Sequence, residues 1–126
     1  MKTKDLMIGD YVQVSSSMTP IKVAAVHHKK LAYHACINKL SWVRQSLLEP
    51  ISLTPEILEK NGWVKDLYSV ESYDNEELEC LSLWVGEDGK NKWWWHVGVE
   101  LVTPINYVHE LQHALRLCGI KKEIIL

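Results

Sequence analysis

The sequence predicts an α+β protein, with a small N-terminal β-barrel followed by an antiparallel sheet packed against a C-terminal helix. In the first half, four short runs of β-forming residues are separated by turn signals. Closing so small a sheet would protect its edges, which predicts an SH3-like barrel. In the second half, alternating apolar residues precede a segment with the apolar period of a helix. We therefore predict a barrel at 1–52 and an α+β half at 53–126, forming one compact unit.

Composition limits the class of protein. The chain has 126 residues, of which 47% are hydrophobic and 24% charged, as in a typical soluble domain. It shows no apolar run of signal-peptide or membrane-span length, so we expect a cytoplasmic location. A net charge of −2 predicts no global attraction to nucleic acid or anionic lipid. The odd number of cysteines, without C-x-x-C, predicts buried small hydrophobes at Cys36, Cys80 and Cys118.

The first half is predicted to be strands joined by short turns. A strand around Val12 and Val14 is followed by strands at 21–26, 31–37 and 40–47. His27-His28-Lys29-Lys30 lies at a hairpin tip, where the imidazoles are either solvated or contact a metal or phosphate. Residues 49–53 are predicted to be a connection, because Pro50 cannot donate to a central strand ladder.

The clearest local signal predicts a short helix at 55–61. Thr54 is a preferred N-cap residue, and Pro55 suits the first helical position. Glu56 favours the positive end of the helix dipole. Gly62 is expected to end the helix in the left-handed region.

The second half predicts an antiparallel sheet over residues 67–102. Its strands are predicted at 67–73, 78–85 and 92–102, separated by an acidic turn at 74–77 and a turn-rich loop at 86–91.

Alternation in the third of these strands separates two sets of side chains. Trp93 and Trp95 share the face expected in the core, while Trp94 and His96 share the other. Trp94 and His96 are our predicted ligand-binding residues, because an aromatic platform can stack on a base, a peptide or a partner chain. The alternative is that Trp94 packs against the N-terminal barrel.

The final helix, predicted at 106–118, carries a potential zinc motif. An apolar stripe lies on one side, and His109, Glu110, His113 and Arg116 lie on the other. His109-Glu110-x-x-His113 spells H-E-x-x-H, in which two imidazoles would bind zinc and the carboxylate would act as base. A catalytic site needs a third protein ligand, and the extended motif would place a histidine where Gly119 stands. We therefore predict no metal and no cofactor, with a zinc hydrolase as the alternative.

Three segments resemble an uncharacterised family of small proteins from Bacteroides-type bacteria and their phages. They are the opening L-x-I-G-D-Y-V, the middle E-P-I-x-L-T-P-E-I-L-E-K-N-G and the final Y-V-H-x-L-Q. The resemblance spans nearly the whole chain and implies a phage context without an activity. Members commonly carry Gln and Asn at the positions of Glu110 and His113, which implies that the motif here is incidental.

These observations favour a non-catalytic binding protein of phage or prophage origin. Its partner would be a host protein or a sequestered nucleotide-like ligand, which fits a counter-defence role, and a homodimer is compatible with the sequence. The zinc hydrolase through His109, Glu110 and His113 is one alternative. The other is a nucleic-acid-binding accessory protein, since SH3-like barrels often bind nucleic acid, using Lys29, Lys30, Lys90 and Lys92. The acidic run from Glu71 to Glu79 and the negative net charge count against it.

Overall fold

The structure is a computed structural model of the chain. It describes residues 1–36, 39–65, 72–75, 78, 81–85, 93–97 and 100–126. Contacts divide the chain into two compact units. Unit 1 comprises Met1–Ser52 and Tyr107–His109, and unit 2 comprises Leu53–Asn106 and Glu110–Leu126. Each unit holds an antiparallel sheet, and a helix runs from Val108 to Leu117, which confirms the predicted α+β class.

Unit 1 is a five-stranded antiparallel sheet. Its strands are β1 (Tyr11–Val14), β2 (Pro20–His27), β3 (Lys30–Cys36), β4 (Lys39–Arg44) and β5 (Leu48–Pro50). Their order is β4-β3-β2-β1-β5. Short 3₁₀ turns lie at Thr3–Asp5 and, between β4 and β5, at Gln45–Leu47.

Two predicted elements of unit 1 differ from the structure. The strand predicted at 40–47 ends at Arg44, and the segment at 49–53, predicted as a connection, begins within β5. Pro50 pairs with Val12 of β1, and β5 is the last strand of the sheet. An edge strand tolerates proline, because nothing on its outer side needs the missing N–H.

The sheet of unit 1 surrounds an apolar core. β2 pairs with β1 through Pro20, Ile21 and Lys22, and with β3 from Val23 onward, with a register shift between Val23 and Ala25. Every strand contributes to one cluster formed by Leu6, Val12, Ile21, Val23, Leu31 and Leu48, with Met1, Val14, Tyr33 and Val43 packed against it. The pairings found among the described residues do not close the sheet into a barrel.

Unit 2 contains a short helix and a second five-stranded sheet. They are α1 (Pro55–Lys60), β6 (Trp63–Lys65), β7 (Ser72–Asn75), β8 (Leu81–Val85), β9 (Trp93–Val97) and β10 (Glu100–Ile105). Each strand pairs antiparallel with the next in sequence. Trp63, Trp93 and Trp95 are buried, which confirms the predicted core positions of Trp93 and Trp95.

Two boundaries predicted for this sheet are wrong. The strand predicted at 92–102 is two strands, because β9 and β10 pair antiparallel, with Val97 opposite Glu100. Asp74 and Asn75, predicted in a turn, belong to β7. Apolar alternation looks the same in one long strand and in two consecutive strands, so the pattern cannot by itself tell them apart. The predicted loop at 86–91, and residues 67–71 of the first predicted strand, lie outside the described residues.

The signals predicted at both ends of α1 are confirmed, and the helix ends at Lys60, one residue before the predicted end. The Thr54 side chain accepts a hydrogen bond from the N–H of Ile57 at 3.3 Å, and Pro55 is the first helical residue. Gly62 has φ +86°, a backbone conformation that side chains with a Cβ rarely adopt. Leu58 anchors the helix through full burial.

The second helix, α2, is Val108–Leu117. Val108, Leu111, Ala114 and Leu115 are buried, as the apolar stripe predicts. Gly119, at φ +74°, follows its last turn, and the N–H of Ile120 donates to the carbonyl of Leu115, which is the Schellman ending. Among the helices of the described chain, none has the length and apolar character needed to cross a membrane.

The prediction of buried cysteines is wrong at two positions. Cys36 and Cys118 are exposed free thiols. Cys36 ends β3 and Cys118 follows α2, so each lies where the element leaves the core. Cys80 lies outside the described residues.

Candidate functional site

The predicted ligand-binding residues Trp94 and His96 lie in the middle of β9. Their backbones pair with Pro104 and Leu101 of β10. Their side chains lie outside the part of the chain that the structure describes. A stacking surface at Trp94 and His96 therefore stays a prediction.

The H-E-x-x-H residues have structural contacts in and beside α2. His109 is only 8% exposed, and its ring stacks on Tyr107 with an interplanar angle of 7°. It was predicted on the polar side, but the start of the helix is held against the chain at Ile51, whose carbonyl accepts from Val108. The Glu110 carboxylate accepts from the N–H of Asn106 at 3.1 Å, as in a helix capping interaction. Within the described residues, no group of three or more His, Cys, Asp or Glu could hold a metal.

Charge is distributed unevenly between the two units. Unit 1 carries seven Lys or Arg residues and three Asp or Glu residues, whereas residues 53–126 carry thirteen of the sixteen acidic residues. Residues 11–48 contain five Lys or Arg residues, three His residues and no Asp or Glu. Unit 1 is therefore positively charged, although the whole chain has a net charge of −2. An anion close to unit 1 would be attracted despite the charge of the whole chain.

A groove on unit 1 collects several of these cations. Its walls are residues 27–30, at the turn between β2 and β3, and residues 44–46, at the end of β4. The groove has a volume of about 520 Å³. Lys29, Lys30 and Arg44 line it and are exposed, and none of its lining residues is acidic. Its lining surface is mainly apolar, so the groove suits a ligand that has an apolar part as well as an anionic group.

Hydrogen bonds hold the two walls of the groove together. The N–H of Gln45 donates to the carbonyl of Lys29 at 2.9 Å. The Gln45 side-chain oxygen accepts from the N–H of Thr3 at 3.3 Å, and the buried Thr3 hydroxyl donates to the carbonyl of His28 at 2.9 Å. The first 3₁₀ turn therefore fixes the hairpin tip on which Lys29 and Lys30 lie.

We expect Thr3→Val to destabilise unit 1 by about 1 kcal/mol, because it removes the hydroxyl donor and keeps a similar volume. Urea unfolding followed by circular dichroism measures this cost. Thr3→Ser retains the donor and should cost less. A Thr3→Val variant as stable as the original chain would show that this hydrogen bond does not hold the tip.

Trp42 lies next to the groove on the outer side of the sheet. It is 51% exposed, and it pairs directly with Ala32 of β3, which pairs on its other side with Ala25 of β2. The Lys30 ammonium lies 4.8 Å from the centre of the Trp42 ring, within the range of a cation–π interaction. Lys30 thus belongs to both the groove and the aromatic surface.

Trp42 is the functional candidate that the sequence predictions missed. The signal was present, because Val43 contributes to the core and its strand neighbour Trp42 must then point outward. The structure brings Lys29 and Lys30 together with Arg44 in the groove. Lys90 and Lys92, the other two lysines of the nucleic-acid hypothesis, lie outside the described residues.

Comparison of the chain with models of protein families, with curated proteins and with solved structures gave no significant match.

Proposed function

We propose that the chain is a non-catalytic binding module, and that its unit 1 binds the phosphate groups of a nucleotide or nucleic acid. The single observation that carries this proposal is the groove at 27–30 and 44–46, lined by Lys29, Lys30 and Arg44 without an acidic residue. Arginine and lysine side chains are the usual partners of phosphate oxygens in proteins. The ligand is the nucleotide-like one expected from the sequence, and unit 1 offers a second candidate site for it. The site at Trp94 and His96 stays a prediction.

We also propose that unit 1 is an SH3-like barrel. The strand order β4-β3-β2-β1-β5 supports this, as does the 3₁₀ turn between β4 and β5. The register shift between Val23 and Ala25 also supports it, because β2 pairs with β1 before this shift and with β3 from Val23 onward. Bulged strands bend in this way where small barrels turn a corner. A phage origin and a host protein partner remain predictions.

The test is fluorescence anisotropy with a labelled oligonucleotide, with adenosine triphosphate as a competitor, at increasing salt. We expect the logarithm of the association constant to fall linearly with the logarithm of the salt concentration. Arg44→Glu should weaken oligonucleotide binding about tenfold and lower the salt slope, because it replaces a phosphate contact by a repulsive charge. Competition by adenosine triphosphate would identify a mononucleotide site, whereas competition only by oligonucleotides would identify a nucleic-acid site.

Lys65→Glu is the matched control. Lys65 is exposed, lies in β6 of unit 2 and does not line the groove, so the substitution makes the same change in net charge without changing a groove residue. We expect little effect on affinity. Equal losses in Arg44→Glu and Lys65→Glu would contradict a groove-specific site, and the absence of oligonucleotide binding at low salt would overturn the proposal. Trp94→Ala in the same assay tests the site predicted from the sequence.

A further inference from the structure

The outer face of β3 and β4 carries an aromatic side chain as well as cations of the groove. Cross-strand pairs on this face are Lys30 with Arg44, Ala32 with Trp42, and His34 with Leu40. Lys30 and Arg44 line the groove at one end. His34 and Leu40 lie at the other end of this face, and both are exposed. The face therefore carries two cations at one end, beside an aromatic ring.

Trp42 is unusual among the tryptophans of this chain. Of those whose side chains the structure describes, Trp63, Trp93 and Trp95 are buried, and Trp42 is 51% exposed. Exposing a large aromatic side chain forgoes the free energy that burial would supply. The Lys30 contact at 4.8 Å covers part of the ring, but a flexible ammonium can move from the ring to a phosphate.

We infer that unit 1 binds a single-stranded nucleic acid, with phosphates at Lys30 and Arg44 and a base stacked on Trp42. This inference rests on the proposed function and names its ligand. A single strand offers one phosphate and one accessible base face per nucleotide, which matches cations placed beside an aromatic ring. The bases of a duplex are already stacked on each other, so a duplex would use the cations without using Trp42. An acidic peptide would likewise leave the ring without a stacking partner.

The experiment compares four labelled probes by anisotropy against the full chain. They are an oligodeoxythymidylate of about 12 nucleotides, an abasic strand of the same length, a duplex of the same length, and a polyglutamate peptide. We expect the oligodeoxythymidylate to bind about tenfold more tightly than the abasic strand, because stacking of one base contributes about 1–3 kcal/mol. Trp42→Ala should remove this difference, and Trp42→Tyr should keep most of it.

The controls separate this inference from the proposed function. Arg44→Glu should weaken the thymidylate and abasic strands alike, because both carry phosphates. Equal affinity for these two strands, with both weakened by Arg44→Glu, would overturn base stacking on Trp42. It would still support phosphate binding at the groove. Tighter binding of the duplex, or of the peptide, would also overturn the inference. No effect of Arg44→Glu on any probe would overturn both proposals. Trp42 does not belong to the core cluster of unit 1, so its substitution leaves that cluster intact.

Discussion

Trp93→Ala is expected to destabilise the protein by about 3–5 kcal/mol, the range typical of removing a large buried aromatic side chain. Trp93 is 2% exposed, and its ring meets that of Tyr73 edge to face with centroids 5.3 Å apart. Its indole N–H donates to the buried carbonyl of Leu53 at 3.2 Å. The substitution would leave both a cavity and a carbonyl without this donor. Urea unfolding followed by far-ultraviolet circular dichroism measures the loss.

Two variants control for this effect. Trp42→Ala removes the same side chain from a half-exposed position and should cost clearly less, about 1–2 kcal/mol. Trp93→Phe retains most of the ring but lacks the N–H, so it should fall between Trp93→Ala and the original chain. Equal costs for Trp93→Ala and Trp42→Ala would contradict the burial of Trp93.

Asn61→Ala is expected to cost about 2–3 kcal/mol, because it removes a polar contact that holds residues 124–126. Asn61 is 5% exposed. Its side-chain oxygen accepts from the N–H of Ile125 at 2.6 Å, and its amide donates to the carbonyl of Ile125 at 2.7 Å and to that of Ile57 at 2.8 Å. Ile124 is buried next to this contact in the sequence, so losing the contact would also release apolar area.

Amide hydrogen exchange at Ile125 distinguishes this mechanism from a general loss of stability. We expect exchange at Ile125 to accelerate in Asn61→Ala under conditions where the protein remains folded. Ile125→Ala is the matched control, because the exposed side chain is changed while the backbone groups that bind Asn61 remain. Unchanged exchange at Ile125 in Asn61→Ala would contradict the proposed contact.

Capping residues and helix periodicity predicted α1 and α2 correctly, because both signals act between residues that are close in the sequence. Thr54, Pro55 and Gly62 predicted α1 because capping and a left-handed ending are decided within a few residues. The apolar positions of α2 were predicted for the same reason, since a helix repeats its burial every three or four residues. The prediction of one strand at 92–102 was wrong because apolar alternation does not distinguish one long strand from two consecutive strands. The prediction that His109 lies on the polar side was wrong because its burial depends on Tyr107 and on the hydrogen bond at Ile51. Helix periodicity does not report these contacts.

The candidate site was predicted only in its parts. The basic run at the hairpin tip is visible in the sequence, and so is the outward position of Trp42 once Val43 is assigned to the core. The net charge of the whole chain argued against nucleic-acid binding. Salt screens charges that are more than about 10 Å apart, so the charges close to the binding surface matter more than the sum over the chain. The H-E-x-x-H spacing does not by itself define a zinc site, since a four-residue spacing is common on helices and a third ligand must come from elsewhere.

By itself, the sequence determined the α+β class, the capped helix α1, the apolar stripe of α2 and the buried positions of Trp93 and Trp95, because each follows from local periodicity or local hydrogen bonding. Only the tertiary structure decided that Arg44 joins Lys29 and Lys30 around one groove, and that Lys30 lies over Trp42. Those placements depend on the register of β3 against β4. A shift by one residue would turn Trp42 into the core and Val43 outward, so strand pairing, and not composition, creates the surface that we propose binds nucleic acid.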